Sequence, residues 1–244
     1  MKVSFDATGE VVVITGGAHG IGAALAAAVA GCGGTAVVFD VSPGLSVAGI
    51  EYVEVDVSDR SAVVKAVDGV LERHGRIDGL VAGAAVQPRA VVLDTEPEQW
   101  TRTLQVNLDG VVWVCQAVVP HMVERRTGSV IVFTSGMAST GFAGAAAYAS
   151  SKAALGAFAR TLAAEVAEYR VRVNVVAPGV IDTEQFRSAN IGADLEHWRD
   201  TTGIGDAEDV VGPLLFLLSD AAAMTGSQLT RERAFARLDT FKES

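Results

Sequence analysis

The chain has 244 residues, half of them apolar, which is enough for one large α/β domain with a sizeable core. Its formal net charge of −10 at pH 7 repels polyanions and argues against nucleic acid as a partner. Two isolated cysteines, Cys32 and Cys115, make neither a disulfide scaffold nor a metal site. Because the sequence shows no secretory signal and no apolar run typical of a membrane span, we expect a cytoplasmic protein without a membrane partner.

Apolar runs of strand length alternate with longer helical stretches along the chain. The predicted strands are 11–14, 35–39, 52–55, 80–82, 129–133 and 171–176, and the predicted helices are 20–30, 59–74, 97–126, 145–168 and 207–218. Strands that are apolar throughout and that alternate with helices indicate a parallel sheet covered on both faces. We therefore predict an α/β fold with a single Rossmann-type, doubly wound sheet, and one domain over residues 1–244.

Two of the predicted helices are apolar or small on more than one face, over residues 100–123 and 148–166. A helix that covers one face of a sheet needs a single apolar stripe. The surplus predicts a helix-bundle interface in a homodimer or homotetramer, although loops that cover the same faces would also explain it.

A glycine-rich turn follows the first predicted strand and opens the first predicted helix. Its G-x-x-x-G-x-G spacing lets the backbone approach a pyrophosphate, and the helix N-terminus points its N–H groups at that anion. The turn therefore predicts a dinucleotide site. Its candidate binding residues are Thr15, Gly16, His19, Gly20, Ile21 and Gly22.

Asp40 ends the second predicted strand, eighteen positions after Gly22. A carboxylate at that place accepts hydrogen bonds from the adenosine ribose hydroxyls and repels a 2′-phosphate. Residues 41–44 hold no Arg or Lys that would bind such a phosphate. The pattern favours NAD over NADP as the cofactor.

Tyr148 and Lys152 lie four residues apart at the start of a predicted helix, and therefore on one helical face. An ammonium beside a phenol favours the phenolate, so we expect the pKa of Tyr148 to be lowered and its hydroxyl to act as a general acid/base. Ser135 follows the preceding strand and is placed to donate a hydrogen bond to a substrate oxygen.

In order and spacing, these motifs resemble the short-chain dehydrogenase/reductase family over about residues 8–230. The resemblance rests on the turn at 15–22, Asp56-Val57, Asn107, Ser135, Tyr148, Lys152, Asn174 and the segment 178–183. It implies adenine contacts from Asp56 and Val57, and it implies that Ile181 and Thr183 position the carboxamide end. The dinucleotide contacts expected outside the glycine-rich turn are Asp40, Asp56, Val57, Ala82, Gly83, Tyr148, Lys152, Pro178, Gly179, Ile181 and Thr183.

The resemblance also implies a catalytic set of Asn107, Ser135, Tyr148 and Lys152. Ser135 would orient the substrate oxygen, and Tyr148 would transfer a proton while hydride moves to or from the nicotinamide. Asn107 would hold a water in a proton relay that runs through Lys152.

The sequence departs from the family pattern in two places. Residues 82–85 read Ala-Gly-Ala-Ala where the family usually has Asn-Asn-Ala-Gly, so we expect weaker bracing of that strand, with the cofactor still met by backbone. The tail from about 231 to 244 is basic and polar where the family commonly ends in Val-Asp-Gly-Gly, which puts the usual tetramer in doubt.

Residues 184–202 lie where a substrate lid would sit, and the short length argues against a very bulky substrate. Its large apolar residues are Phe186, Ile191, Leu195 and Trp198. They would either wall an apolar pocket or dock the lid on the body of the protein.

Three functions compete. The leading one is an NAD-dependent dehydrogenase of a small secondary alcohol, such as a cyclic diol or hydroxy compound, or a reductase of the matching ketone. An NADPH-dependent, 3-oxoacyl-type ketone reductase is the alternative, and Asp40 argues against it. A non-catalytic dinucleotide sensor or scaffold is the third, motivated by the two departures.

Overall fold

A computed structural model describes residues 3–42, 44, 47–190 and 195–231 of the chain, with the side chains of Glu196 and His197 left aside. In this part, seven strands form one sheet in the order β3-β2-β1-β4-β5-β6-β7, and every neighbouring pair is parallel. The strands are β1 Val11–Thr15, β2 Thr35–Asp40, β3 Ile50–Glu54, β4 Gly79–Ala82, β5 Gly128–Phe133, β6 Val171–Ala177 and β7 Gln228–Thr230.

Helices cover both faces of this sheet. They are α1 Gly20–Gly31, α2 Arg60–His74, α3 Pro97–Leu104, α4 Gly110–Arg125, α5 Met137–Thr140, α6 Ala146–Val166, α7 Glu184–Ala189, α8 Leu195–Thr201 and α9 Glu208–Leu218. Alternate residues of β1 point into two separate cores: Val13 packs with α2, α4 and α6, whereas Ile14 packs with α1 and α9. The predicted doubly wound sheet is confirmed.

The order of the strands locates the cleft. From β1 the chain winds outward to β2 and β3 and then returns to place β4 on the other side of β1. At such a switch point the connections after neighbouring strands diverge and leave a crevice at the carboxyl ends. Thr15, Asp40, Ala82 and the residues after Phe133 all lie at that edge.

The structure corrects several of the predicted elements, and the short helices α5, α7 and α8 were not predicted. The predicted helix 97–126 is interrupted by a π-helical segment, Gln105–Asp109, and it ends at Arg125 because Arg126 is left-handed with φ of 55°. A seventh strand, β7, pairs with β6 where the sequence predicted none.

One helical stretch of the described residues, Pro97–Arg125, has the length and hydropathy of a membrane span. Half of its most apolar window is buried, and Val114, Val118 and Met122 of α4 pack into the core with no exposed surface. Core packing accounts for this hydropathy, and the expectation of no membrane partner stays a prediction.

Candidate active site

The glycine-rich turn has a geometry that side chains would destroy. Gly16 and Gly20 have φ of +71° and +57°, a left-handed conformation that favours glycine. A Cβ at Gly16 would lie 2.7 Å from the backbone of Ala84, and a Cβ at Gly22 would lie 2.5 Å from the Gly16 carbonyl oxygen. The turn is therefore packed as closely as backbone allows.

The N-terminus of α1 is open to an anion. His19 precedes the helix without capping it through its side chain, and the first turn, which includes Ile21, holds no acidic residue. The next helix, α2, differs because the Asp59 carboxylate accepts the N–H groups of its first turn. With no carboxylate of its own in its first turn, α1 fits the diphosphate of a dinucleotide.

The Asp40 carboxylate is fixed beside this turn. One oxygen accepts the Ala18 N–H at 3.0 Å and the other accepts the Ser42 N–H at 3.0 Å. The side chain therefore spans the gap between the glycine-rich turn and the end of β2, where the ribose of a bound dinucleotide would lie.

Asp56 and Val57 lie beyond the end of β3, next to the Asp40 strand. The Asp56 carboxylate accepts hydrogen bonds from Ser58 at 2.7 and 2.9 Å and from Arg102 at 2.9 Å, so its side chain is already partnered. Val57 is buried against Gly110. A Cβ added at Gly110 would lie 2.7 Å from the Val57 side chain.

The end of β4 is held by Thr15. Its hydroxyl accepts the N–H groups of Gly83 and Ala84 at 3.1 and 3.2 Å, and its carbonyl accepts Gly83 N–H as well. The chain thus braces this end from β1, beside the fully buried Ala82, although no asparagine amide stands at 82–85.

The side chains of Tyr148 and Ser135 lie next to each other. Burial raises the pKa of Tyr148, although the Ser135 hydroxyl and the charge of Arg89 act in the opposite direction. The predicted lowering of this pKa is wrong for the structure, because desolvation of the phenolate outweighs the favourable neighbours.

Lys152 lies one turn along α6 from Tyr148, as predicted, with its Nζ 5.8 Å from the phenol ring centroid. The ammonium is 3% exposed and donates to the Phe133 carbonyl oxygen at 3.0 Å. Burial lowers the pKa of Lys152 to about 8. This lysine is held by the end of β5.

Asn107 occupies the π-helical segment and is completely buried. Its amide accepts the Val86 N–H at 2.8 Å and donates to the Val86 carbonyl oxygen at 2.9 Å and to Ser151 Oγ at 3.2 Å. Ser151 in turn donates to the Tyr148 carbonyl oxygen at 2.7 Å. Asn107 thus joins the loop after β4 to the first turn of α6.

Ser151 and Val86 were not predicted from the sequence. Ser151 lies three residues after Tyr148 on the same helical side, which is the signal that could have identified it. Nothing local marks Val86, since only its backbone takes part.

The segment after β6 lies over the glycine-rich turn. Thr183 caps α7 by accepting the Phe186 N–H at 3.1 Å, and its methyl group lies 3.0 Å from where a Cβ of Gly20 would stand. Ile181 is buried. Pro178 and Gly179, the latter with φ of +79°, link β6 to this point.

The predicted lid is two short helices, α7 and α8, that dock on the body of the protein. Trp198 stacks on Phe142 with ring centroids 5.6 Å apart and meets the edge of Phe186 at 6.3 Å. The lid aromatic residues therefore pack with one another and with the loop after β5. Leu195 opens α8, and Ile191 lies outside the described residues.

Arg89, in the loop after β4, forms hydrogen bonds with the lid segment after α7 begins. It was not predicted as a site residue. Its Nε donates to the Ala189 carbonyl oxygen at 3.1 Å and its Nη2 to Asn190 Oδ1 at 3.0 Å. The guanidinium lies 4.7 Å from the ring centroid of Phe142.

Known proteins match this arrangement closely. The family model described as short chain dehydrogenase matches residues 10–193. The 3-oxoacyl-(acyl-carrier-protein) reductase FabG of Thermotoga maritima is 34% identical over 239 residues, covering 91% of this chain and 95% of that protein.

Two solved structures are similar over nearly the whole chain. A 3-ketoacyl-(acyl-carrier-protein) reductase from Brucella melitensis complexed with NADH has a TM-score of 0.85 and 25% identity, with 91% of this chain and 96% of that chain covered. A gluconate 5-dehydrogenase from Burkholderia cenocepacia in complex with NADP and tartrate has a TM-score of 0.86 and 30% identity, with 93% and 94% covered. The protein therefore belongs to the short-chain dehydrogenase/reductase family, whose members are NAD(P)-dependent oxidoreductases of alcohols and ketones.

Proposed function

We propose that the protein is an NAD-dependent dehydrogenase of a small secondary alcohol, or a reductase of the corresponding ketone, with Tyr148 as the general acid/base. One observation carries the proposal: Tyr148 lies beside Ser135 at the carboxyl edge of the sheet, one helical turn from the buried Lys152. We expect it to act as a homodimer or homotetramer in the cytoplasm.

The proposed chemistry divides between the cofactor and the chain. Bound NAD supplies the hydride acceptor for oxidation, and NADH supplies the donor for reduction. Ser135 donates a hydrogen bond to the reacting oxygen and holds it beside Tyr148. Tyr148 takes the alcohol proton during oxidation and returns it to the ketone oxygen during reduction.

Lys152 has two features that suit it to support Tyr148. Its ammonium is enclosed in a site of low polarity, where a positive charge stabilises a nearby phenolate more than it would in water. Its lowered pKa of about 8 also brings its own proton within reach of exchange near neutral pH. Asn107 donates to Ser151, the residue before Lys152, and we expect it to hold the water of a proton relay that runs through Lys152.

The preference for NAD rests on Asp40. A 2′-phosphate would bring a second negative group against a carboxylate that two backbone N–H groups already hold in place. Such a juxtaposition of like charges disfavours binding. One neighbouring structure was solved with NADH and another with NADP, so the relatives leave both cofactors open.

The substitution Tyr148→Phe tests the proton-transfer centre. We expect turnover of secondary alcohols and cyclic diols with NAD to fall at least about 100-fold, because proton transfer by a positioned side chain contributes roughly that much. NAD binding, measured by calorimetry, serves as the control and should change little. Turnover that persists in the variant would show that another group transfers the proton.

The substitution Asp40→Ser tests the choice of cofactor. Wild-type protein should bind NAD more tightly than NADP, and the variant should shift the ratio of the two dissociation constants toward NADP by about 10-fold or more, as the repulsion is removed. Competition titrations with both dinucleotides measure the ratio. Tighter binding of NADP by the wild type would favour an NADPH-dependent, 3-oxoacyl-type ketone reductase.

A further inference from the structure

Arg89 stands beside the proton-transfer centre without belonging to it. The charge of its guanidinium lowers the pKa of Tyr148, although burial of that phenol has the larger, opposite effect. Its Nη1 is directed at Met137 Sδ at 3.9 Å, and the Met137 N–H donates to Ser135 Oγ at 3.3 Å. The guanidinium therefore borders the space in front of Ser135 and Tyr148.

The partners that the structure gives this cation are neutral. They are a carbonyl oxygen, an amide oxygen, a thioether and the face of a phenyl ring. No carboxylate of the described side chains forms an ion pair with it. Burial lowers the pKa of Arg89, and the negative charge that Tyr148 carries as a phenolate acts in the opposite direction. The described part of the chain therefore gives this half-buried guanidinium no counter-charge.

The three nitrogens of the Arg89 guanidinium differ in the strength of their hydrogen-bond acceptors. Nε donates to the Ala189 carbonyl oxygen, and one N–H of Nη2 donates to Asn190 Oδ1. Among the described residues, the only acceptor near Nη1 is the sulfur of Met137, which is a weak one. One N–H on each of Nη1 and Nη2 remains for an acceptor, and such a pair matches the two oxygens of a carboxylate.

We propose that Arg89 binds a carboxylate of the substrate, so that the enzyme oxidises a small hydroxy acid or reduces the matching oxo acid. The inference rests on the proposed function and narrows its substrate class. The hydroxy acid loses a hydride to NAD and its hydroxyl proton to Tyr148, which leaves the oxo acid, NADH and one proton. Arg89 takes no part in the transfer and determines which alcohols are held for it.

The test compares acids with neutral molecules of matching skeleton. The probes are both enantiomers of 3-hydroxybutyrate with their methyl esters, and gluconate with sorbitol. Affinity for the NADH-loaded protein is measured by calorimetry, and kcat/KM is measured with NAD. The wild type should favour at least one acid over its neutral partner by at least about 30-fold, the lower range for a hydrogen-bonded charge pair removed from water.

Variants separate the carboxylate contact from the attachment of the lid. Arg89→Gln should erase the preference and leave the neutral probes nearly unchanged, and Arg89→Lys should restore it only in part because the fork is lost. Asn190→Ala removes the lid acceptor and keeps the cation. Arg199→Gln removes an exposed cation of α8. Both controls should affect acids and neutral probes alike.

The outcomes for the inference and for the proposed function differ. Equal affinity of the wild type for acids and neutral partners, or no binding of either acid, overturns the carboxylate contact whatever the turnover. An equal loss on both probe classes in Arg89→Gln overturns it too, since it would make Arg89 a lid anchor. Acid-selective binding without turnover would instead refute the dehydrogenase and leave the Arg89 contact standing.

Discussion

Lys152 is a cation placed where a protein ordinarily puts an apolar side chain. It is 3% exposed, and it has one hydrogen bond, to the Phe133 carbonyl oxygen, among the described residues. Removing an ammonium from water disfavours its charged form, which is why its pKa falls to about 8. The buried charge of Lys152, which we propose supports Tyr148, therefore destabilises the fold.

This cost predicts that Lys152→Met stabilises the protein while abolishing turnover. Below pH 8 the lysine is charged in both folded and unfolded chains, so the whole cost is present and the variant should gain on the order of 2 kcal/mol. Between pH 8 and the usual lysine value of 10.5 the folded wild type releases its proton first and regains stability. The advantage of the variant should therefore shrink across that range.

Urea unfolding of both proteins at pH 7 and pH 10, without NAD, measures the difference. A variant less stable than the wild type at pH 7 would contradict the prediction and would mean that the bond to the Phe133 carbonyl is worth more than the buried charge costs.

For single residues, the sequence predicted where a side chain lies better than it predicted how burial and neighbouring charges change its pKa. The four-residue spacing of Tyr148 and Lys152 was sufficient to place them on one face of α6. The direction of the Tyr148 pKa was not predictable from that spacing. It depends on how deeply the folded chain buries the phenol and on neighbours such as Arg89, which is 59 positions away along the chain.

The π-helical segment Gln105–Asp109 is the irregular element that positions a site residue. It turns Asn107 toward Val86 and Ser151, which belong to the loop after β4 and to α6. Extra residues in a helical turn of this kind are uncommon and occur often at functional sites. The sequence 97–126 reads as continuous helix because the bonds that favour the π turn come from residues distant in sequence.

We predict that Asn107→Ala lowers the free energy of unfolding by about 2 kcal/mol. The substitution removes three hydrogen bonds of a fully buried amide and leaves the groups on Val86 and Ser151 without these hydrogen-bond partners. Gln105→Ala is the matched control, as it removes an exposed amide from the same segment and should change stability by less than about 0.5 kcal/mol. Thermal unfolding of the two variants measures the difference. Equal changes would show that the Asn107 bonds do not hold the segment.

Across the whole molecule, the outer face of α6 remains the best candidate for contact with another copy. Its exposed residues include small ones that let a second helix approach closely: Ala153, Ala157, Thr161 and Ala164. Their opposite neighbours, such as Leu155 and Ala159, are buried in the monomer, so the face can be altered without disturbing the core.

The oligomer prediction is tested with Ala157→Glu. We expect wild-type protein to sediment as a dimer or tetramer and the variant to shift toward a smaller species, because a carboxylate would be buried against its symmetry copy. Val64→Glu, on the exposed side of α2, is the control and should leave the assembly intact. A monomeric wild type would remove the need for any partner surface on α6.

The sheet was the most predictable part of the molecule. Six of the seven strands, with the long helices between them, follow from apolar runs such as 11–14 and from glycines that end helices, such as Gly31. The strand β7 was missed because it has only three residues, with an exposed–intermediate–exposed pattern, and pairs through β6 alone. The lid helices were missed as elements because they are short and held mainly by contacts such as Trp198 on Phe142.

Thr183 links two events that a kinetic experiment can separate. It caps α7 and also lies against Gly20, so the attachment point of the lid and the expected diphosphate site share one surface. A dinucleotide that settles there contacts the lid at its attachment point before any alcohol arrives. The enzyme should therefore follow a compulsory order, with the dinucleotide first on and last off, and product-inhibition patterns should be competitive only between NAD and NADH.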